Sequence, residues 1–378
     1  MYNISARLAK ALGEEEIEFG GMNMIFAGDF AQLPPAMGSP LYSNTIGLSG
    51  NSIYKQEEAI GKAIWHRITT VVILQKNMRQ KSITDDDNKF RTALEHVRYK
   101  KCTAADIAFL RSRISANISG ANSICEKIYR DIPIITAFNV HKDEINRVGC
   151  ERFAAEHNET LIHFYSEDIC RPQVDNPSNE SKGAKRQPWK KILPLNEMTD
   201  EVQHLLWTLN HSASDSHIPS KLSLCIGMPV MIRRNLATEL CMTKGQEGIV
   251  YGWQTKRGTR NQMMLDVLFV KLINLPSARV INIDGLPENI VPVYSTSNTM
   301  IVTLPNGSAL SIMREQVEVL PDFSMTDYAS QGKTRPKNVV DVSNCKDYHG
   351  IYTALSRGAT ASGTIILQGF SPKKLTDG

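Results

Sequence analysis

The chain has 378 residues, a net charge of +4 and a hydrophobic content of 42%, enough for two or three domains with sizeable cores. No apolar run reaches the roughly 18 residues of a membrane-spanning helix, and the start lacks the basic-then-apolar pattern of a signal peptide. The seven cysteines are scattered and odd in number, with no C-x-x-C pair, which argues against a zinc site and a disulfide framework and fits a reducing compartment. The mild positive charge permits nucleic-acid binding without arguing for it.

"MYNISARLAKALG" reads as a helix with Ile4, Leu8 and Leu12 on one face. "MNMIFA" (22–27), bounded by Gly21 and Gly28, reads as a buried central strand, and "TTVVIL" (69–74) as a second. A helix-to-strand start without partner strands leads us to expect that the chain begins inside a domain. Thr84 is placed to cap one helix and Thr103 the next. "IPIITAF" reads as a strand, Asn139 as the cap of a long helix, and "ETLIHFYS" as another strand. Residues 171–191 have loop composition with a basic excess; they read as a solvated insertion or as a phosphate-contacting arm.

From about 225 to 315 short apolar strands recur, with Asn306-Gly307 as a hairpin signal, and we expect a small β domain closed as a barrel. After it "NVVDV", "DYHGIYTALSR" and "GTIILQ" return to strand, helix and strand. The β domain therefore reads as an insertion into an α/β domain.

Four stretches carry chemistry. "AGDFAQLPP" (27–35) places Asp29 and Gln32 at a strand's carboxyl edge, where α/β sheets bind ligands and where a Gln can orient water or meet a γ-phosphate. Arg79, in "LQKNMRQ", follows the next strand, and Arg357 ends the helix in "YTALSRG". Each arginine reads either as a helix-end or surface cation or as a charge supplied to a phosphoryl transition state. "SMTDYASQGKTR" (324–335) contains Gly332-Lys333-Thr334, the close of a phosphate-binding loop. The first glycine of G-x-x-x-x-G-K-[ST] would fall at Asp327, however, where a carboxylate repels phosphate. A polar turn capped by Gly332 is the plainer reading.

The order of these stretches resembles the superfamily 1 DNA helicases of the PIF (petite integration frequency) type, including those encoded by Helitron transposons. "GGMNMIFAGDFAQLPP" is similar to that family's third motif, "LQKNMRQ" to its fourth, "SMTDYASQGKT" to its fifth and "YTALSRG" to its sixth. "LSLCIGMPVMIRRN" with "KGQEGIV" is similar to the entry into its SH3-like subdomain. The resemblance implies RecA-like P-loop NTPase motor domains of α/β class: the remainder of a first one at 1–76, a second at 77–222 and 316–378, and an inserted SH3-like β-barrel at 223–315. It implies that Gln32 senses the γ-phosphate and that Arg79 and Arg357 reach it across a cleft. Asp29, Gln331 and Gly332 would line the nucleotide side. Asn139, Arg233, Thr326, Tyr328, Ser330 and Lys333 would serve single-stranded DNA. The family often carries a lysine where this chain has Ala329, which leaves that lysine's role open; Lys333 is a partial substitute.

The phosphate loop and the Asp-Glu pair that holds Mg²⁺ do not occur in this sequence. "LGEEEIEFGG" has no apolar strand before it and is not assigned Mg²⁺. The expectation is therefore part of an ATP-dependent helicase, a monomeric motor on single-stranded and forked duplex DNA, in the nucleus or mitochondrion, with this chain alone feeble as an ATPase. Two other readings stay open: a remnant that binds single-stranded DNA without catalysis, and an unrelated α/β nucleotide-binding protein.

Overall fold

The structure, a computed structural model, describes residues 1–35, 40–43, 53–75, 77–81, 83–120, 123–171, 197–276 and 279–376. The basic stretch 172–191 and most of the proline-rich loop after Pro35 lie outside the described residues.

Helix α1 (Tyr2–Leu12) ends at Gly13, whose φ of 74° needs a residue without a Cβ penalty. It crosses α2 (Ile53–His66) where Gly61 lets the Tyr2 backbone approach; a Cβ there would lie 3.2 Å from the Tyr2 nitrogen. Phe26 and Phe30 both meet Trp65 of α2 edge-on, at 6.2 and 6.0 Å between centroids.

The two strands expected at 22–27 and 69–74 are not formed. Neither segment pairs with any described strand, and Ile25 and Leu74 are 94% and 90% exposed. The physical reason is that β-branched composition favours a strand only where a neighbour satisfies the backbone N–H and C=O groups. Among the described residues neither segment has such a neighbour.

Helix α3 (Asp85–Arg98) starts at the Thr84 cap, whose hydroxyl accepts from the Asp87 amide. Helix α4 (Ala104–Ser112) starts in a capping box between Thr103 and Asp106. Next come β1 (Ile134–Thr136), α5 (Asn139–Glu156), β2 (Ile162–Tyr165), β3 (Glu167–Cys170) and α6 (Asp200–Thr208). The β-rich stretch holds β4 (Lys221–Leu224), β5 (Pro229–Ile232), β6 (Glu247–Arg257), β7 (Met263–Leu272), β8 (Ile290–Thr303) and β9 (Ala309–Val317). The chain closes with β10 (Val319–Pro321), β11 (Ser324–Thr326), α7 (Asp327–Ser330), β12 (Asn338–Val340), α8 (Tyr348–Leu355) and β13 (Thr364–Ile366).

A parallel sheet, ordered β11-β1-β12-β13, forms the α/β body. Its core joins Ile135, Met325 and Val340 to Phe90 and Leu94 of α3, Leu110 of α4 and Ile351 and Leu355 of α8. The strand centres Ile135, Met325, Val339 and Ile365 are apolar and buried, as a sheet covered on both faces requires. Asn146 of α5, buried, pins the start of β11: its Oδ1 accepts from the Phe323 and Ser324 amides at 3.0 and 2.8 Å. Gly149, one turn on, packs so close that a Cβ would stand 2.5 Å from the Phe323 ring.

The second sheet is antiparallel, ordered β10-β5-β6-β7-β8-β9-β3. Its described pairings do not return from β3 to β10. Two of its strands, β3 and β10, lie outside residues 223–315. Strand β3 joins β9 at a buried ion pair: Asp168 stands opposite Arg314, and the guanidinium donates to both carboxylate oxygens at 2.8 Å. The Ser166 hydroxyl and the Gln203 amide fill the remaining lone pairs, so neither charge is left uncompensated. At the hairpin between β8 and β9 Gly307 takes φ 81°, the conformation the Asn-Gly pair announced.

Candidate functional site: a cleft along helix α8

Helix α8 begins where the Asp347 carboxylate accepts from the amides of His349 and Gly350. His349 and Tyr352 of α8 and its C-cap Ser356 recur at the spacing that puts them on one stripe. That stripe faces three segments distant in sequence. His349 Nδ1 donates to the Ala31 carbonyl at 3.0 Å. The Tyr352 hydroxyl accepts from Arg98 at 3.1 Å. The Ser356 carbonyl accepts from Arg79 at 2.8 Å. One helix face thereby gathers Ala31, Arg79 and Arg98.

Within this cleft Asp29 is the hub of the first segment. Its Oδ1 accepts from the Ala31 amide at 3.0 Å; its Oδ2 accepts from Arg98 at 2.7 Å and from the Gln32 side chain at 3.4 Å. Gln32 Oε1 in turn accepts from Gln331 Nε2 at 3.3 Å. The structure therefore joins Gln32 to the "SQGKT" segment across 299 positions of sequence.

Arg79 and Arg357 lie side by side. Arg79 donates Nε to Thr334 Oγ1 at 3.0 Å as well as to Ser356, and with Asn77, Met78 and Thr334 it lines a cleft of about 270 Å³. Its neighbour Gln80 is buried and donates to the Gly358 carbonyl at 2.7 Å. Arg357 is 1% exposed. Its Nε donates to the Thr353 carbonyl at 2.9 Å and one terminal nitrogen to Ser356 Oγ at 2.8 Å, while the other terminal nitrogen, Nη1, is buried without a partner among the described residues. Burial first, and then the adjacent Arg79 charge, push the Arg357 guanidinium down to about 10. Burial also lowers Arg79. Against the cost of its own burial, Arg98 is raised by the Tyr352 hydroxyl and by Asp29. Two arginines held together, one with an unsatisfied N–H, can receive an anion.

The residues expected on DNA are placed less freely. Asn139 is not the cap of α5: Phe138 occupies that position with no side-chain cap, and the Asn139 oxygen accepts from Lys142 at 3.2 Å. The helix starts one residue early because Phe138 already carries the extended backbone of a cap. Thr326 caps α7 by accepting from the Ala329 amide at 3.3 Å. Tyr328 is half-exposed, and its hydroxyl donates to the Pro34 carbonyl at 3.1 Å. Ser330 is fully buried and donates to the Asp327 carbonyl. Gly332 takes φ 83°, the left-handed turn that suits glycine.

Lys333 is held by Glu247 of β6 at 2.6 Å, and Arg335 reaches the same carboxylate at 3.4 Å. Arg233 is turned inward: it donates to the Ser216 carbonyl at 2.9 Å, and burial lowers its pKa against the attraction of Glu318 and Asp143.

Three participants escaped the sequence reading: Arg98, Gln80 and Glu247. Arg98 reads as an ordinary cation complementing a helix C-terminus, and Glu247 as a polar strand end. Nothing in their local patterns marks a partner more than fifty residues away. Among the described residues no group of three or more His, Cys, Asp or Glu is arranged to hold a metal ion.

Comparison with known proteins places this cleft in context. A family model described as PIF1-like helicase matches residues 3–106. The mouse ATP-dependent DNA helicase PIF1 is 23% identical over 371 residues, covering 97% of this chain and 43% of that protein; the chain thus spans less than half the length of this relative. Among solved structures, the Pif1 helicase from Candida albicans is 20% identical, covers 99% of this chain and 73% of its own, and superposes with a TM-score of 0.56. Bacteroides Pif1 bound to ssDNA is 18% identical over 99% of this chain and 68% of its own, with a TM-score of 0.58. At these identities the superpositions establish a shared fold.

Proposed function

We propose, from the premise that this chain is a PIF1-type helicase sequence, that it is part of an ATP-dependent motor coupling ATP hydrolysis to translocation on single-stranded DNA and unwinding of forked duplex. The observation that carries this reading is the buried Arg357, whose Nη1 has no partner among the described residues, set close enough to Arg79 and Asp29 to feel both charges. The cluster suits an anion that arrives and leaves. ATP, when bound, supplies the transferable phosphoryl group and the free energy of its hydrolysis.

In this reading Gln32 orients water or meets the γ-phosphate, and Asp29 holds the Gln32 amide. Arg79 and Arg357 offset the charge that develops on phosphoryl transfer. Gln331 and Gly332 link that event to α7, whose Tyr328, Thr326 and Ser330 lie beside the proposed DNA path with Asn139, Lys333 and Arg233. The domain plan is a first RecA-like remainder at 1–76, a second RecA-like domain at 77–222 and 316–378, and an SH3-like insertion at 223–315. Mg²⁺ would be held by acids that this sequence does not contain, so the chain alone should turn ATP over feebly. Repair, recombination, telomere maintenance or transposition, in the nucleus or mitochondrion and as a monomer, are the settings the family resemblance offers.

A second reading is a non-catalytic remnant that binds single-stranded DNA through a basic groove and stacking on aromatics such as Tyr328, which is 45% exposed. Fluorescence anisotropy with a labelled single-stranded oligonucleotide, titrated over salt with and without ATP, tests both. Salt-sensitive binding with feeble ATP turnover supports the motor part. No binding at low salt by the folded chain removes the remnant reading, and full turnover by this chain overturns the assignment of its missing parts.

A further inference from the structure

We infer that Arg98 is a positioning residue of this cleft: it holds Asp29, and through Asp29 sets the Gln32 side chain against Gln331. The inference rests on reading the cleft as a phosphate site, and it adds a residue that none of the four motifs contains. Arg98 ends α3, where a cation ordinarily complements its own helix's carbonyls. Its guanidinium instead donates to two side chains outside the helix. The same nitrogen reaches Asp29 Oδ2 at 2.7 Å and the Tyr352 hydroxyl at 3.1 Å. The guanidinium carbon lies 5.9 and 5.8 Å from the Tyr99 and Tyr352 ring centroids, within cation–π range. Two rings and a hydroxyl thus fix the head of a long side chain before it meets Asp29, which lowers the entropy cost of the contact.

The consequence runs along one chain of bonds. Asp29 uses Oδ2 for both Arg98 and Gln32 and Oδ1 for the Ala31 amide. An Asp29 released from Arg98 is free to rotate and loses its grip on both. Gln32 would then lose its register with Gln331. Asp29 also lies close enough to raise Arg357 through space, so moving it changes the charge balance at the unpartnered guanidinium. The ion pair is partly solvated, with side-chain exposures of 32% and 19%, so the tether is breakable rather than a buried staple.

Residue-resolved hydrogen exchange on the full chain tests this. In Arg98→Gln the Ala31 amide, whose acceptor is Asp29, should exchange about tenfold faster, the loss expected for one charge-assisted contact, while the α3 amides stay unchanged. Arg98→Lys should restore most of the protection, because a point charge still pairs with Asp29. Asp29→Asn should reproduce the effect from the other side, and it keeps the test open if Arg98→Gln does not fold. Unchanged exchange at Ala31 in folded Arg98→Gln overturns the inference. So does an equal rise throughout α3, which would make Arg98 a support of its own helix. Binding of inorganic triphosphate to the unmodified chain separates the two claims: if Ala31 is freed as expected but triphosphate does not bind, the tether stands and the phosphate reading of the cleft falls.

Discussion

Replacing Arg357 with methionine should stabilise this protein and remove its response to phosphate anions. The guanidinium is 1% exposed, one of its nitrogens has no partner among the described residues, and burial with the Arg79 charge lowers it to about 10. An arginine lowered on folding costs stability wherever it is charged. The cost is present in full below pH 10 and is relieved only as pH rises above about 10. At about 1.4 kcal/mol per unit the ceiling is roughly 3 kcal/mol. Solvent reaching the cleft reduces this to about 1–2 kcal/mol. The partners left behind stay satisfied, since the Ser356 hydroxyl also donates to the Thr353 carbonyl. Methionine fills the same space without charge.

Urea unfolding at pH 7 should therefore show a raised midpoint with an unchanged slope. Inorganic triphosphate at ten times its dissociation constant should stabilise the unmodified chain by about 1.4 kcal/mol and leave Arg357→Met unmoved. A loss of more than about 1 kcal/mol in the variant, on the mutational scale of buried hydrogen bonds, would show that Arg357 is structural. A full triphosphate response in the variant would show that the anion sits elsewhere.

Glu247→Gln should release Lys333 and Arg335. Single-stranded DNA binding should then tighten, and its salt slope should steepen by about 0.7 for each cation that engages a phosphate; anisotropy at several salt concentrations measures both. Asp322 is buried beside Glu247, and its carboxyl is pushed up from 3.8 to about 6, so it holds its proton longer folded than unfolded. Stability should fall as pH rises from about 4 to about 6 and stay low above, and Asp322→Asn should abolish that fall, gaining up to roughly 3 kcal/mol in urea titrations at pH 7. Gly149→Ala puts a Cβ 2.5 Å from the Phe323 ring and should cost about 1–3 kcal/mol by overpacking, read as a lowered thermal midpoint.

How far the sequence could be read varied with the range of the forces involved. Thr84 and Thr103 were legible as caps because a cap bonds within four residues of itself. Asn139 misled because Phe138 had already taken the cap conformation. The apolar segments 22–27 and 69–74 read as strands and are not, since strand formation depends on neighbours that composition does not reveal. Lys333 reads as a contact for DNA phosphate, and its pairing with Glu247, 86 positions away, has no local signal.

The sequence by itself determined the helix caps at Thr84 and Thr103, the β-rich stretch from about 225 to 315 and the order of the four motifs, all of which are written in periodicity and local spacing. Tertiary structure alone decided which charges meet. It set Arg98 on Asp29, Gln331 on Gln32 and Glu247 on Lys333, and it buried Arg357 beside Arg79. The reason is physical: hydrophobic pattern and capping act over a turn or a strand, whereas Coulomb and hydrogen-bond partners are chosen by distance in space, and packing brings Ala31 to His349 and Arg79 to Ser356 within 3.0 Å.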